Sequence, residues 1–427
     1  MFGVSGAAAN TMFLLWCGDV LPKVCIFVPR LVSGTGRGFG SAPQQKHTRW
    51  ASLFFKTLEF LDMKKTILGL YLTTFFFQSC GQKFTPSPEY IIKNKAKWTI
   101  EIPEVQELIH IVIAITPTGV LDSNMVEHNT RYYKSVMKHF NEYRNHEIVR
   151  LTDKVLKKGF YAHLKMDACG FYFYDDSKIV KDKTYNKLNW NIKNQVDPFI
   201  DELEDFATKT NFRDFYRNNR KYYDELIEKM KSQTPIDKQW KWLEARFPDR
   251  YDNYRVTFSP LVNASHSTNR FQTDNFKQSV MFICGPIENT TMDERVKEGL
   301  MTRVVFTEID HNYVNPVSDK FKSRINDIFD DRDKWTSGKF SSGYGNPYSV
   351  FNEYMTWAVF SLYAQDTFDE SVFRVINERM ESQMTKYRGF SHFREFNQKL
   401  IQLYRDKKEN ETISDLYPKI LEWCRNE

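Results

Sequence analysis

The sequence has few cysteines and almost no net charge outside its first 80 residues. Six Cys are spread over 427 residues, and the formal net charge is +6. The first 80 residues contain eight Lys or Arg but only three Asp or Glu, so the rest of the chain is nearly neutral. Widely spaced cysteines indicate neither a disulfide framework nor a Cys-x-x-Cys metal site. A nearly neutral body lacks the main electrostatic basis for binding nucleic acid, and we expect no such partner.

Internal repeats, low-complexity tracts and apolar runs long enough to cross a bilayer are also missing. Hydrophobic residues make up 41% of the chain and charged residues 27%, which is typical of a folded, water-soluble protein. Aromatic residues, at 15%, indicate a large core. The apolar periodicity predicts a mostly helical α+β fold with a small mixed sheet.

A short apolar stretch near the N-terminus ends at a cysteine. Lys64 and Lys65 precede the stretch Thr66–Phe77, which is followed by Gln78, Ser79 and Cys80. The stretch is too short for a mature membrane anchor. This order resembles a bacterial lipoprotein signal peptide, in which a small residue precedes a cysteine that becomes acylated. The resemblance implies that Cys80 carries a lipid.

The body of the chain contains clear helix and strand patterns. Lys97–Ile102 is predicted to be a short strand, and Glu104–Ile115, apolar nearly all round, a buried helix. Tyr254–Phe258 alternates as a half-buried strand does, and Ser279–Cys284 is apolar on both faces, as in a central strand. The polar segment Asn263–Asn275 between them is predicted to be a loop.

A long helix with potential chemistry is predicted after Asn289. Thr291 with Glu294 three residues later forms a capping-box pattern at its start. Further along the helix lie Glu308 and His311, one turn apart, so both side chains reach the same point.

A second helix, Tyr348–Ala358, carries Glu353 among apolar neighbours, where a carboxylate needs a partner. A helix with Glu-x-x-His followed by a helix with Glu resembles the core of gluzincin metallopeptidases, which bind zinc through His-Glu-x-x-His and a downstream Glu. The resemblance implies that His311 and Glu353 are zinc ligands and that Glu308 is the general base. Thr307 stands at the first ligand position, and Thr is not a normal zinc ligand.

The chain also resembles a bacterial family known only as domain of unknown function 4932, from roughly Val105 to Pro418. The matching pieces are Glu107-Leu108-Ile109, Tyr132-Tyr133-Lys134-Ser135-Val136, Phe140, His146, Glu308-x-x-His311-x-Tyr313-Val314-Asn315-Pro316, Asn352-Glu353, Arg388-Gly389-Phe390, Leu403-Tyr404 and Leu416-Tyr417-Pro418. This resemblance implies a zincin-like domain.

Three interpretations of the motif stay open. In the first, zinc binds through His311 and Glu353 with His266 or His146 as a substitute ligand. In the second, Glu308 is itself a ligand, which favours a harder metal than zinc, and Asp310 becomes the base. In the third, the site is degenerate and its side chains only bond to one another.

The expected function is metal-dependent hydrolysis of a peptide or protein substrate, with zinc as the expected metal and Tyr344 or Tyr348 steadying the oxyanion. The alternative is a non-catalytic lipoprotein that binds a peptide or protein partner through a pseudo-peptidase cleft. Gly81, rather than Asp, follows Cys80, which in lipoprotein sorting implies the outer membrane.

These expectations divide the chain into five segments. Residues 1–62 are interpreted as a disordered, mis-called upstream extension and residues 63–80 as the signal peptide. Residues 81–96 are a tether, residues 97–250 an N-terminal, mainly helical part, and residues 251–427 a zincin-like core with C-terminal helices.

Overall fold

The computed structural model describes residues 84–190, 193–263, 265–288, 291–341 and 343–427, without the side chains of 339 and 340. The expected extension, the signal peptide and the lipid-bearing Cys80 lie outside the described residues. Residues from 84 onward belong to one compact unit.

Helices dominate the described chain, so the predicted α+β class with a small sheet is confirmed. In chain order the helices are α1 (Pro88–Asn94), α2 (Glu104–Ala114), α3 (Pro117–Leu121), α4 (Arg131–Phe140), α5 (Glu147–Lys157), α6 (Tyr161–Ala168), α7 (Ile200–Lys209), α8 (Phe212–Asn218), α9 (Arg220–Gln233), α10 (Ile236–Glu244), α11 (Glu294–Lys320), α12 (Lys322–Ile328), α13 (Arg332–Trp335), α14 (Gly338–Ser341), α15 (Pro347–Thr367), α16 (Glu370–Ser382), α17 (Phe393–Arg405) and α18 (Ile413–Asn426). Short 3₁₀ turns lie at Asn141–Tyr143 and Asp197–Phe199, and a π-helical turn at Gln383–Tyr387.

Two small sheets accompany the helices. The strands are β1 (Lys97–Glu101), β2 (Phe171–Phe173), β3 (Ile179–Lys181), β4 (Asn253–Phe258), β5 (Ser267–Thr273) and β6 (Phe276–Ile283). The main sheet has the order β1-β4-β6-β5, with β5 antiparallel to β6 and the other pairs parallel. The strands β2 and β3 form a separate antiparallel pair.

Two predictions for this sheet were wrong in detail. The segment predicted as a loop at Asn263–Asn275 contains β5. Its polar sequence shows no strand pattern, yet it pairs with β6 along its whole length. The strand predicted as half-buried, Tyr254–Phe258, lies between β1 and β6, and Tyr254, Val256 and Thr257 are all fully buried. The placement of Ser279–Cys284 in the sheet interior is confirmed through β6.

The long helix α11 lies against the sheet and against α15. On the sheet side, the Asn312 Nδ2 donates to Ser279 Oγ at 3.0 Å, which fixes the helix relative to β6. The helix begins at Glu294 with Asp293 as its cap, because the Asp293 carboxylate accepts from the backbone N–H of Arg295 and Val296. The predicted capping box of Thr291 and Glu294 was therefore wrong.

Hydrophobic side chains from both halves of the described chain form one continuous core, with a smaller cluster beside it. A Cβ on Gly299 of α11 would lie 2.0 Å from Cδ1 of Ile376, so the Ile376 side chain would have to shift to admit a larger residue where α11 approaches α16. Within the described ranges, no helix is both long and apolar enough to cross a membrane.

Candidate functional site

The site is built around one face of α11. Arg303, Thr307 and His311 follow one another at intervals of one helical turn on that face. The Thr307 hydroxyl donates to the carbonyl oxygen of Arg303 at 2.9 Å, and its side chain is nearly buried. The residue at the first ligand position is therefore tied to its own helix.

His311 and Glu353 meet where α11 packs on α15. The distance from His311 Nε2 to Glu353 Oε1 is 3.5 Å, and both side chains are buried. The other ring nitrogen, Nδ1, lies 3.5 Å from Asn315 Oδ1 on the next turn of α11. The periodicity of two helices thus brings together the pair that the sequence predicted.

Arg388 reaches the same point from the turn that follows α16. The π-helical turn Gln383–Tyr387 leads into Arg388, and π-turns often occur at functional sites. Gly389 follows with φ +76°, and a Cβ there would lie 1.6 Å from the Ser337 carbonyl oxygen. Only glycine fits this turn, which directs Arg388 toward α15.

Arg388 holds the carboxylate of Glu353. Its Nη2 donates to Glu353 Oε2 at 2.8 Å and also to the Tyr344 hydroxyl. Burial alone would raise the pKa of Glu353, but the charge of Arg388 and the bonds from His311 and Tyr344 outweigh burial and lower it. Glu353 is therefore ionised and paired. The sequence analysis missed Arg388 as a site residue, and its only signal was the Arg-Gly-Phe match.

Glu308 is the second carboxylate of the site. Burial raises its pKa to about 7, and Glu353 adds to the rise while His311, Lys165 and Arg388 oppose it. Among the described residues, the buried oxygen Oε2 has no hydrogen-bond partner. A carboxyl group whose pKa is near 7 is suited to exchange a proton at neutral pH.

Basic side chains surround the two carboxylates. Lys165 on α6 donates to the carbonyl oxygens of Ser265 at 2.6 Å and Phe282 at 3.4 Å. Burial lowers the pKa of Lys165 to about 8, although Glu308 opposes this. His266, just before β5, has its pKa lowered well below the usual value by burial and by Lys165, Arg303 and Arg388. Three cations therefore act on one imidazole.

The remaining predicted residues lie elsewhere. His146 caps α5, and its Nε2 bonds to Asp205 Oδ2 at 2.9 Å, so its ring is engaged outside the His311 group. The Tyr348 hydroxyl donates to the Asn315 carbonyl oxygen and to Asp319 Oδ1, at 3.2 and 2.8 Å. Of the two tyrosines predicted, Tyr344 is the one bonded to the Arg388–Glu353 pair.

The donor set supplies part of a zinc site. Two ligands of a tetrahedral zinc with bonds of about 2.1 Å lie about 3.4 Å apart, and the 3.5 Å between His311 Nε2 and Glu353 Oε1 matches this. Across the described ranges, however, no three His, Cys, Asp or Glu side chains are grouped to hold a metal. The residues present do not complete a zinc site, and zinc stays a prediction.

Comparison with known proteins places the chain in a family. The sequence profile of the family described as "Domain of unknown function (DUF4932)" matches residues 118–423, well over half of the chain. No match was found among curated proteins or among solved structures. The chain belongs to the DUF4932 family.

Proposed function

We propose that this protein is a zincin-like protein that binds a peptide at the His311–Glu353 site without a resident zinc ion. The observation that carries the proposal is the ion pair of Arg388 Nη2 with Glu353 Oε2 at 2.8 Å. In the gluzincin arrangement a metal ion would balance the negative charge of Glu353. Here the guanidinium of Arg388 already balances that charge.

Electrostatics support this proposal. Two unit charges about 4 Å apart interact by roughly 4 kcal/mol at an effective dielectric constant of 20. Lys165, Arg303 and Arg388 all act on this site, whereas Glu353 is already paired. A divalent cation would be repelled by each of these charges, and only two of the expected ligands are present to compensate.

The sheet supports a peptide as the ligand. The edge strand β5 is antiparallel to β6, and His266 directly precedes it. The outer side of β5 is already occupied near its start, since Trp190 Nε1 donates to the carbonyl oxygen of Thr268, the second residue of the strand, at 3.2 Å. We therefore place the end of the peptide beside His266, just ahead of β5 and next to the charged group.

The test measures binding and cleavage together. A labelled random octapeptide mixture is added to the full chain with and without excess chelator, with fluorescence anisotropy for binding and mass spectrometry for cleavage. We expect saturable binding, intact peptides and weaker binding by His311→Ala. The matched control is His139→Ala. His139 lies on α4, and its ring bonds to the Thr210 carbonyl oxygen and not to any residue of the His311–Glu353 site. Absence of binding, or cleavage that the chelator abolishes, would overturn the proposal.

The second candidate function is metal-dependent peptide hydrolysis. The zinc-like separation of His311 Nε2 and Glu353 Oε1 favours it, as does the pKa of Glu308 near 7. Chelator-sensitive cleavage in the experiment above, lost in Glu308→Gln, is the result that supports this candidate.

We also propose that the protein is held at the bacterial outer membrane by a lipid on Cys80. The order of two lysines, an apolar stretch and Ser79 before Cys80 supports this proposal. The peptide-binding domain would then lie in the cell envelope, where peptides and partner proteins are accessible.

A further inference from the structure

A second feature of the site is a cation that forms no ion pair with any residue that the structure describes. Arg303 lies one turn before Thr307 on α11 and is partly exposed. Its Cζ lies 4.6 Å from the centroid of the Trp357 ring, a cation–π contact. In the described part of the chain, no carboxylate lies within ion-pair distance of its guanidinium. Burial and the charge of Arg388 lower the pKa of Arg303 to about 10, and Cys284 and Glu308 offset this only in part.

The same indole carries a second guanidinium. Cζ of Arg388 also lies 4.6 Å from the Trp357 ring centroid, so two arginines contact one aromatic side chain. Trp357 itself is buried, one turn after Glu353 on α15. Glu353 balances the charge of Arg388, which leaves the charge of Arg303 in excess.

A third cation adds to this excess. The Lys165 ammonium donates only to backbone carbonyl oxygens among its described hydrogen bonds. His266, whose Nδ1 is buried without a hydrogen-bond partner among the described residues, feels Lys165, Arg303 and Arg388 together. All three cations therefore act electrostatically on His266, and one of them, Arg388, is already paired with Glu353.

We infer that Arg303 and Arg388, which share the Trp357 ring, form a subsite for a carboxylate group of the bound peptide. This inference rests on the proposed peptide-binding function. A guanidinium lying over an indole can direct its N–H edge to a planar carboxylate through two parallel hydrogen bonds. A bound carboxylate would also relieve the repulsion between Arg303 and Arg388. Its source is either the C-terminus of the peptide or an Asp or Glu side chain.

Three octapeptide mixtures distinguish these sources. The first lacks Asp and Glu and has a free C-terminus, the second lacks Asp and Glu and is C-terminally amidated, and the third is amidated and contains Glu. Binding to the full chain is measured by fluorescence anisotropy in excess chelator. We expect the first or third mixture to bind at least tenfold more tightly than the second, and Arg303→Gln to remove the difference.

Arg295→Gln is the matched control. Arg295 lies on the same helix and stacks on Phe368 at 4.8 Å, but it is more exposed and pairs with Glu298. This variant should retain the full preference for a carboxylate. Equal binding of all three mixtures, or a preference that survives Arg303→Gln, would overturn the subsite while leaving peptide binding in place.

A small probe tests the subsite apart from peptide binding. N-acetylglycine carries a carboxylate, and N-acetylglycinamide has the same size without the charge. We expect N-acetylglycine alone to raise the melting temperature of the full chain, and Arg303→Gln to lose this rise. That result with no peptide binding would retain the carboxylate subsite and reject the proposed function. An equal response to both probes would reject the subsite.

Discussion

Glu308 illustrates how a single buried side chain sets the chemistry of the site. Helical periodicity places it one turn from His311, and this much is predictable from the sequence. Its proton affinity cannot be predicted from the sequence, because burial by distant segments raises the pKa of Glu308 to about 7. Arg388 and Lys165 escaped prediction because they reach the site from other elements, whereas Arg303 lies on the same face of α11 as His311 and was within reach of helical periodicity.

The raised pKa predicts a pH dependence of stability. Between about pH 4.5 and 7 the folded protein retains a proton on Glu308 that the unfolded chain has lost, so stability falls as pH rises through this window. Replacing Glu308 by Gln removes this effect. Relative to the wild type, the free energy of unfolding of Glu308→Gln should rise by about 3 kcal/mol from pH 4.5 to above pH 7. Denaturant titrations at several pH values measure this, and parallel curves for the two proteins would contradict it.

At the scale of elements, the strand β5 and the turn after α16 could not be predicted from sequence patterns. The segment Ser267–Thr273 is polar, and only its pairing with β6 makes it a strand. By contrast, α11, α15 and β6 have apolar patterns of their own and were predictable. The π-helical turn before Arg388 has no clear sequence signal, although Gly389 marks the bend that follows it.

Gly389 provides a test of that turn. An alanine there would have a positive φ and would collide with the Ser337 carbonyl oxygen. We expect Gly389→Ala to lower the free energy of unfolding by about 1–3 kcal/mol, and to weaken peptide binding because Arg388 is displaced. Gly345→Ala is the control, since a Cβ on Gly345 has nothing within 4 Å. Equal stability of the two variants in denaturant titrations would contradict this account of the turn.

At the scale of the whole molecule, the proposed envelope location depends on Cys80. We expect the full chain, expressed in a bacterium with lipoprotein processing, to incorporate an alkyne-labelled fatty acid and to fractionate with the outer membrane. Cys80→Ser should lose the label, whereas Cys284→Ser, within the folded domain, should retain it. A label that persists in Cys80→Ser would contradict the lipid anchor.

The central claim is that the proposed zincin-like site holds no zinc because its first imidazole is missing, and that Arg388 pairs with Glu353 in place of the metal. The most direct measurement is zinc content by mass spectrometry after zinc loading and gel filtration of the full chain. We compare the wild type with Thr307→His, which restores His-Glu-x-x-His, and with the double variant Thr307→His, Glu353→Gln. A melting curve for each variant confirms folding. The account predicts little zinc in the wild type, close to one zinc per chain in Thr307→His and loss of it in the double variant. Stoichiometric zinc in the wild type, or none in a folded Thr307→His, would contradict it.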